Sequence, residues 1–453
     1  MNRRARGRGH RIFYGWYVLA ASFVILFLNA GGRFIIGVML KPITAELDWT
    51  RSAASAAIFL NLAVYALAII VIGRLYDRWG PKWLIVGATV LLSAGYALMA
   101  TMDALWQFFL YYGILVAAGF GGTTVTLFGS IIGTWFERRR GLAVSLATAG
   151  NCLGQFFLLP LFSDVVVVSG WRSTSLLIAG LAFVVNLALA FAVIRGGPKE
   201  FGLRPYGSVQ RPEVVSESPS APRAPAATVS VPDVPPPREA RPAPTAAARV
   251  HDLSLAEAMR TRSLWAFTVA MFVCGGGDFI ATTHLVPMVT DYGLSASTGA
   301  SMLAWLGLLS LPGILLAGPA ADSIGNKIPI ALTFGLRVIL FMLLFQYKGA
   351  ASFWVFSLGM GLTLLVTAVL TTTLVGSLYG VTHLGFISGF INTVHMVGGG
   401  LWAYMGGVVY DRTGDYDLAL LISAAATAVA LMCTFLIREE RHGPRRRPRP
   451  AVD

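Results

Sequence analysis

The chain carries apolar runs too long for the core of a soluble domain. Tyr14 to Leu40, Trp83 to Ala100 and Ala419 to Ile437 are each long enough to cross roughly 30 Å of hydrocarbon as helix. Twelve such segments are counted, at approximately 14–40, 52–74, 82–101, 105–134, 141–168, 172–195, 263–290, 298–320, 328–347, 351–378, 386–410 and 416–437. Composition agrees: 56% of the 453 residues are apolar, 13% are charged and the mean hydropathy is +0.68. A soluble domain is nearer about a quarter charged. The expected class is therefore an all-α integral membrane protein. Segment 1 follows Arg3, Arg4, Arg6, Arg8 and Arg11, as a secretory h-region follows its basic n-region, but it is too long and no small-residue cleavage site follows cleanly.

A net charge of +13 raises the question of nucleic acid, and its distribution answers it. The basic residues cluster before segment 1, at Arg74, Arg78 and Lys82, at Arg138 to Arg140, in the central linker and at Arg445 to Arg449. These loops fall on one side of an even-numbered bundle, so the positive-inside rule expects both termini in the cytoplasm, across an inner membrane, and no nucleic-acid partner. Cys152, Cys274 and Cys433 lie inside predicted spans, with neither disulfide nor zinc spacing. No His-Glu-x-x-His and no phosphate-cradling Gly-Lys-Ser/Thr loop occurs. An enzyme, an ATP-driven pump, a metal and a cofactor are not expected.

Pro205 to Val250 interrupts the apolar pattern with Pro, Ala, Ser and Arg, a composition that cannot bury enough surface to order itself. The expected organisation is a basic terminus (1–13), a six-helix bundle (14–195), a cytoplasmic linker (196–262, disordered over about 205–250), a second six-helix bundle (263–437) and a basic tail (438–453). Ser254 and Glu257 form a capping-box pattern that opens a short amphipathic helix through Leu255, Met259 and Leu264. The two bundles are an internal repeat. Gly73, Asp77, Gly80 and Lys82 recur at a constant offset of 245 as Gly318, Asp322, Gly325 and Lys327. The same offset places Gly31-Gly32-Arg33-Phe34 on Gly276-Gly277-Asp278-Phe279, Pro42 on Pro287 and Glu46 on Asp291. With an even number of spans per half, the repeats are parallel, related by an axis along the membrane normal, and enclose a central cavity.

Gly73-Arg-Leu-Tyr-Asp-Arg-Trp-Gly-Pro-Lys82 resembles the signature loop between helices 2 and 3 of the major facilitator superfamily, with a degenerate copy between helices 8 and 9. Tyr14-Gly15-Trp16, Trp135-Phe-Glu-Arg-Arg-Arg-Gly-Leu-Ala143 with Ala149-Gly150-Asn151, and Tyr410-Asp-Arg-Thr-Gly-Asp-Tyr416 are similar to the monocarboxylate and oxalate:formate transporter group. The resemblance implies a secondary active transporter working by alternating access on a small monocarboxylate or related organic anion, coupled to protons or by exchange. An exporter of hydrophobic or amphiphilic compounds and a transporter-like membrane sensor are the alternatives. One chain holds both halves, enough for a monomer to work.

Charged groups in mid-span are costly and usually face a partner or a wet cavity. Arg33, Asp164, Asp278, His284, Arg337 and His395 are the candidates. Arg33, behind two glycines, presents paired donors for a carboxylate; its alternative is to neutralise an acid of helix 7 or to serve an outer gate. Asp278, at the repeat-equivalent place, is expected to pair with Arg33 across the halves and to take part in proton coupling. His284 titrates near physiological pH and is the second proton-coupling candidate, or a satisfied helix-end residue. The resemblance places helices 5 and 11 on the cavity, which makes Asn151 and His395 matched hydrogen-bonding candidates. Asn29 and Tyr65 complete the expected substrate set, with Asn61, Gln155 and Asn392 as further polar groups. Arg337 is expected to snorkel or pair locally, and it and Asp164 are left out of the site. Gly73, Asp77, Arg78 and Lys82, with Asp322 and Lys327 as weaker counterparts, are expected to gate. No basic residue lies between Ser297 and Ala321, so Arg33 would be the main fixed cation, which favours a monoanion.

Overall fold

A computed structural model describes residues 13–201, 203–207, 253–380 and 382–438. Eleven helices among these are long and apolar enough to span a bilayer. One, Arg140–Ala192, has 53 residues, which as a straight rod would reach about 80 Å, more than twice the hydrocarbon thickness. It turns at Gly170, whose φ of 81° and ψ of 166° are non-helical, and so contains two spans. Twelve spans result: α1 Tyr14–Glu46, α2 Arg51–Tyr76, α3 Arg78–Met99, α4 Leu105–Trp135, α5 140–169, α6 171–192, α7 Arg262–Asp291, α8 Ala296–Ile324, α9 Lys327–Gln346, α10 Ala350–Tyr379, α11 Leu384–Thr413 and α12 Asp417–Leu436. They match the expected segments to within a few residues, with α1 running on past Leu40 to Glu46.

Local chemistry sets the ends. Thr50 caps α2, Thr261 caps α7 and Ser295 caps α8, each hydroxyl accepting a backbone N–H of the first turn. Ser254 and Glu257 close the expected capping box over the short helix Leu255–Arg260. The internal repeat is visible in the backbone. Gly80 and Gly325 share nearly one conformation, φ 74° and ψ 170° against φ 82° and ψ 167°, turning α2 into α3 and α8 into α9. Side chains rarely tolerate that region.

The halves meet where α2 packs on α11 and α5 on α8, with the end of α1 against α7. We call the end holding residues 46–51, 291–296 and 411–417 distal and the opposite end proximal. Among the described residues, every side-chain hydrogen bond between the halves lies from mid-span to the distal end. Gln155 Nε2 donates to the Leu303 carbonyl at 2.9 Å, Cys152 Sγ meets Ser310 Oγ at 3.3 Å, and the rest involve Lys41, Arg51 and Ser52. At the distal end α11 approaches α2 so closely that a Cβ on Gly407 would sit 2.7 Å from the Arg51 carbonyl oxygen. At the proximal end Gly73 and Gly318 have no neighbour within 4 Å of a built Cβ, and Leu315, Leu316 and Phe386 are exposed. The bundle is closed distally and open proximally.

Of the expected disordered stretch, residues 205–207 are described and ordered: the Tyr206 N–H donates to the Trp135 carbonyl at 2.8 Å. The remainder, 208–250, lies outside the described residues, as do the two basic tails up to residue 12 and from 439.

Candidate transport site

A cleft between the halves is lined by Arg33 of α1, Asn61 of α2, Tyr112 of α4, and Phe279, Thr282 and Thr283 of α7. Arg33 is half-buried. Its guanidinium lies over the Tyr65 ring at 4.0 Å and faces the Phe120 ring at 5.9 Å. Among the described residues it has no carboxylate partner. Aromatic faces hold a guanidinium by its π surface and leave its N–H edge free, the edge that forks onto an oxyanion. Asn61 is held by its Nδ2 donating to the Tyr112 carbonyl at 2.6 Å. Tyr112 belongs to the stretch Phe109–Val116, which is wound as π-helix.

The expected Arg33–Asp278 pair does not form. Asp278 binds instead to Arg337 of α9, NH2 to Oδ1 2.6 Å, and both are buried. Arg337 is 1% exposed, so it does not snorkel. Its Nε donates to Thr363 Oγ1 at 3.0 Å, NH2 to the Thr363 carbonyl at 3.1 Å and NH1 to the Cys274 carbonyl at 3.2 Å. A guanidinium with five donors finds a counter-charge and carbonyls within its own half, at less desolvation cost than spanning the cavity. His395 joins this cluster, Nε2 to Asp278 Oδ2 3.6 Å. Donor atoms of Cys274, Asp278 and His395 lie within 4.8 Å of one another. The spacing would fit a cation, but Arg337 already supplies positive charge there, 3.3 Å from Cys274 Sγ.

At the distal end the sequence reading missed a second constellation. Asp291 accepts a two-pronged contact from Arg51, NH1 to Oδ2 2.6 Å and NH2 to Oδ1 2.9 Å, and a third from Lys41 Nζ at 2.8 Å. Arg51 also stacks on the Tyr410 ring at 3.5 Å and donates to the Tyr416 hydroxyl at 2.7 Å. Asp411 accepts the backbone N–H groups of Arg51 and Ser52 at 3.0 and 2.7 Å, so α11 caps α2 across the interface. Burial pushes the Tyr416 hydroxyl above the usual tyrosine range, so it stays protonated. His284 is fully buried in this latch, with Nε2 2.7 Å from the Ala403 carbonyl and Nδ1 3.1 Å from the Tyr416 hydroxyl. A carbonyl accepts only, so Nε2 carries the hydrogen and Nδ1 accepts from Tyr416. Both ring nitrogens are satisfied with the imidazole neutral, which is the arrangement of a packed helix-end residue.

The other expected site residues separate. Asn29 faces the interior of the N-terminal half, its Oδ1 accepting from Asn186 at 3.0 Å, in a narrow crevice with Leu92 and Tyr96 rather than beside Arg33. Asn151 is half-buried on α5 with no side-chain hydrogen bond among the described residues, while its repeat partner His395 lies in the Asp278 cluster. Of the gating set, Gly73, Arg78 and Asp322 are exposed at the open end. Lys82 lies over the Phe191 ring at 4.8 Å, and Lys327 donates to the Phe435 and Ile437 carbonyls at 2.7 and 3.0 Å. The Asp77 side chain lies outside the described residues.

A sequence profile described as Major Facilitator Superfamily matches residues 22–403 and again 267–453. Among curated proteins, a human protein called Monocarboxylate transporter 11 is 27% identical over 428 residues, covering 91% of this chain and 80% of that one. An Oxalate:formate antiporter of Oxalobacter formigenes is 21% identical over 442 residues, covering 93% and 91%. Among solved structures, a bacterial homologue of the human lysosomal transporter Spinster, described as inward-facing and occupied, superposes with a TM-score of 0.69 at 15% identity, covering 94% and 97%.

Proposed function

The chain belongs to the major facilitator superfamily, and we propose that it carries a small organic monoanion by alternating access, with Arg33 binding the carboxylate. It is a transporter and not an enzyme. The observation that carries the proposal is the Arg33 guanidinium, half-buried in a cleft built by both halves, steadied by Tyr65 and without a carboxylate partner among the described residues. A half-buried cation within the membrane-spanning region bears part of the cost of lost solvation when it has no counter-charge, and a substrate anion relieves that cost. One such cation suits one negative charge. The names of the human and Oxalobacter relatives support the same class of solute.

The proximal loops at Arg78, Lys82 and Arg138 to Arg140 are the basic ones, which by the positive-inside rule supports a cytoplasmic side for that end. The open proximal end then faces inward, and the Arg51–Asp291 latch seals the outer side. Reversal breaks the latch and brings the loops of Gly73–Lys82 and Asp322–Lys327 together. The cleft is small and its remaining walls are largely apolar, as with Ile58, Leu62 and Phe120, which suits a short aliphatic or aromatic acid. The anion travels with a proton or against a counter-anion.

The test is binding. Short monocarboxylates are expected to raise the thermal midpoint of the detergent-purified protein, and Arg33→Gln is expected to abolish the shift without lowering the ligand-free midpoint. A wild-type response retained in Arg33→Gln would move the anion elsewhere; a response to amphiphilic cations alone would favour an exporter.

A further inference from the structure

We infer that the C-terminal half contains a proton-binding site between His395 and Asp278, and that a proton held there is cotransported with the anion. The geometry of His395 is the starting point. Nδ1 lies 3.2 Å from the Met271 carbonyl oxygen, which only accepts, so Nδ1 carries a hydrogen. Nε2 therefore presents its lone pair, or its second proton, to Asp278 Oδ2 at 3.6 Å. With neutral imidazole and ionised carboxylate, two lone pairs face each other in a buried place. One proton turns that contact into a hydrogen bond or an ion pair.

The carboxylate is also short of donors. Arg337 NH2 reaches 2.6 Å from Oδ1, yet off the hydrogen-bonding direction, so Oδ1 has no well-aligned donor. Oδ2 receives only a long contact from Cys274 Sγ, at 3.8 Å. The groups facing Asp278 are Cys274 of its own helix, Arg337 of α9 and His395 of α11. Among the described residues, α10 brings the hydroxyls of Thr363 and Thr367 to this cluster, through Arg337 and Cys274, and no charge. The site is rigid. A Cβ on Gly275 would lie 1.9 Å from the His395 carbonyl oxygen, so α7 and α11 are in backbone contact where the two titratable groups meet.

Charge links this site to the cleft. Arg337 and ionised Asp278 cancel, so an added proton leaves the cluster with one net positive charge. Phe279 stands between, its ring 6.5 Å from the His395 ring while it also lines the Arg33 cleft. A proton behind Phe279 attracts an anion in front of it, and the anion favours the proton equally, since coupling between two sites is reciprocal. This coupling rests on the anion-carrier reading above; the proton site itself does not.

Two measurements separate them. In proteoliposomes under an inward gradient of about one pH unit, a one-proton, one-anion carrier accumulates labelled monocarboxylate about tenfold. His395→Gln removes the titratable ring and strands no charge, since Asp278 and Arg337 remain paired. It is expected to accumulate to unity while retaining exchange of internal for external anion; tenfold accumulation by this variant overturns the proposal. The substrate-free measurement is infrared difference spectroscopy of the purified protein between acid and alkaline pH. A carboxyl and an imidazole component from this site are expected in the wild type and are lost from the difference spectrum of His395→Gln. They are also lost in Asp278→Asn/Arg337→Gln, a pair that leaves no buried guanidinium unpaired. Difference spectra of both variants that match the wild type overturn the proton site. If the wild type exchanges no monocarboxylate, the carrier reading fails while the infrared result stands or falls alone.

Discussion

Replacing Arg51 by Gln should open the distal end. The side chain makes two contacts to Asp291, at 2.6 and 2.9 Å, with relative exposures of 8% for Arg51 and 17% for Asp291. Hydrogen bonds to charged groups contribute about 1.5 to 3 kcal/mol each, and breaking a fully buried pair costs about 3 to 5 kcal/mol. Asp291 is partly exposed and keeps Lys41 as a partner, itself 41% exposed, which adds little. A loss of about 2 to 3 kcal/mol from the closed state is therefore expected, or about a 30- to 150-fold shift toward distal opening at 1.4 kcal/mol per decade. Gln retains the backbone N–H that Asp411 accepts, so the start of α2 is kept. The assay is pulsed electron spin resonance between labels at Asp48→Cys and Ser297→Cys, both exposed, with Cys433→Ser and the buried Cys152 and Cys274 left in place. The short distance of the parent should give way to a longer one. An unchanged distance distribution would refute the latch.

Three further outcomes follow from the same geometry. Gly407→Val places its Cβ 2.7 Å from the Arg51 carbonyl oxygen, so the same label pair should read the longer distance and net transport should stop in protein that still folds. Asp278→Asn alone strands the Arg337 guanidinium and should cost about 3 to 5 kcal/mol, seen as a lower thermal midpoint in detergent, with Asp278→Asn/Arg337→Met recovering most of it. Tyr65→Ala removes a cation–π contact of about 0.5 to 2 kcal/mol and should weaken anion binding about 2- to 30-fold, measured by ligand-dependent thermal shift, whereas Tyr65→Phe should stay near wild type.

Much of the architecture was legible because hydrocarbon imposes a length. The twelve runs were read from hydropathy, and their repeat from glycines whose positive φ at Gly80 and Gly325 admits little else. Charge partners were less legible, because the offset that aligns two residues does not say which neighbour neutralises each. The repeat held a clue that went unread. The N-terminal residue equivalent to Arg337 is Leu92, so the first half lacks the partner that the second half has, and Arg33 is left for the cavity. The latch has a similar origin. Glu46 is satisfied within its own half, by Trp171 Nε1 at 2.6 Å and Arg172 Nε at 3.0 Å. The equivalents of those residues are Tyr416 and Asp417. An acid where the arginine would be cannot neutralise Asp291, which reaches across to Arg51 and Lys41 instead. Both basic residues stand at span ends, where sequence alone reads them as topology charges. For His284 the sequence names no partners: the folded latch supplies one to each ring nitrogen, the Tyr416 hydroxyl and the Ala403 carbonyl.

The central claim, that Arg33 binds the transported anion, is tested most directly by uptake of labelled short monocarboxylates into proteoliposomes at matched incorporation of wild type, Arg33→Lys and Arg33→Gln. Saturable uptake by the wild type, weakened in the Lys variant, which keeps the charge without the fork, and lost in the Gln variant is the predicted result. Uptake by Arg33→Gln at the wild-type rate and affinity would contradict it.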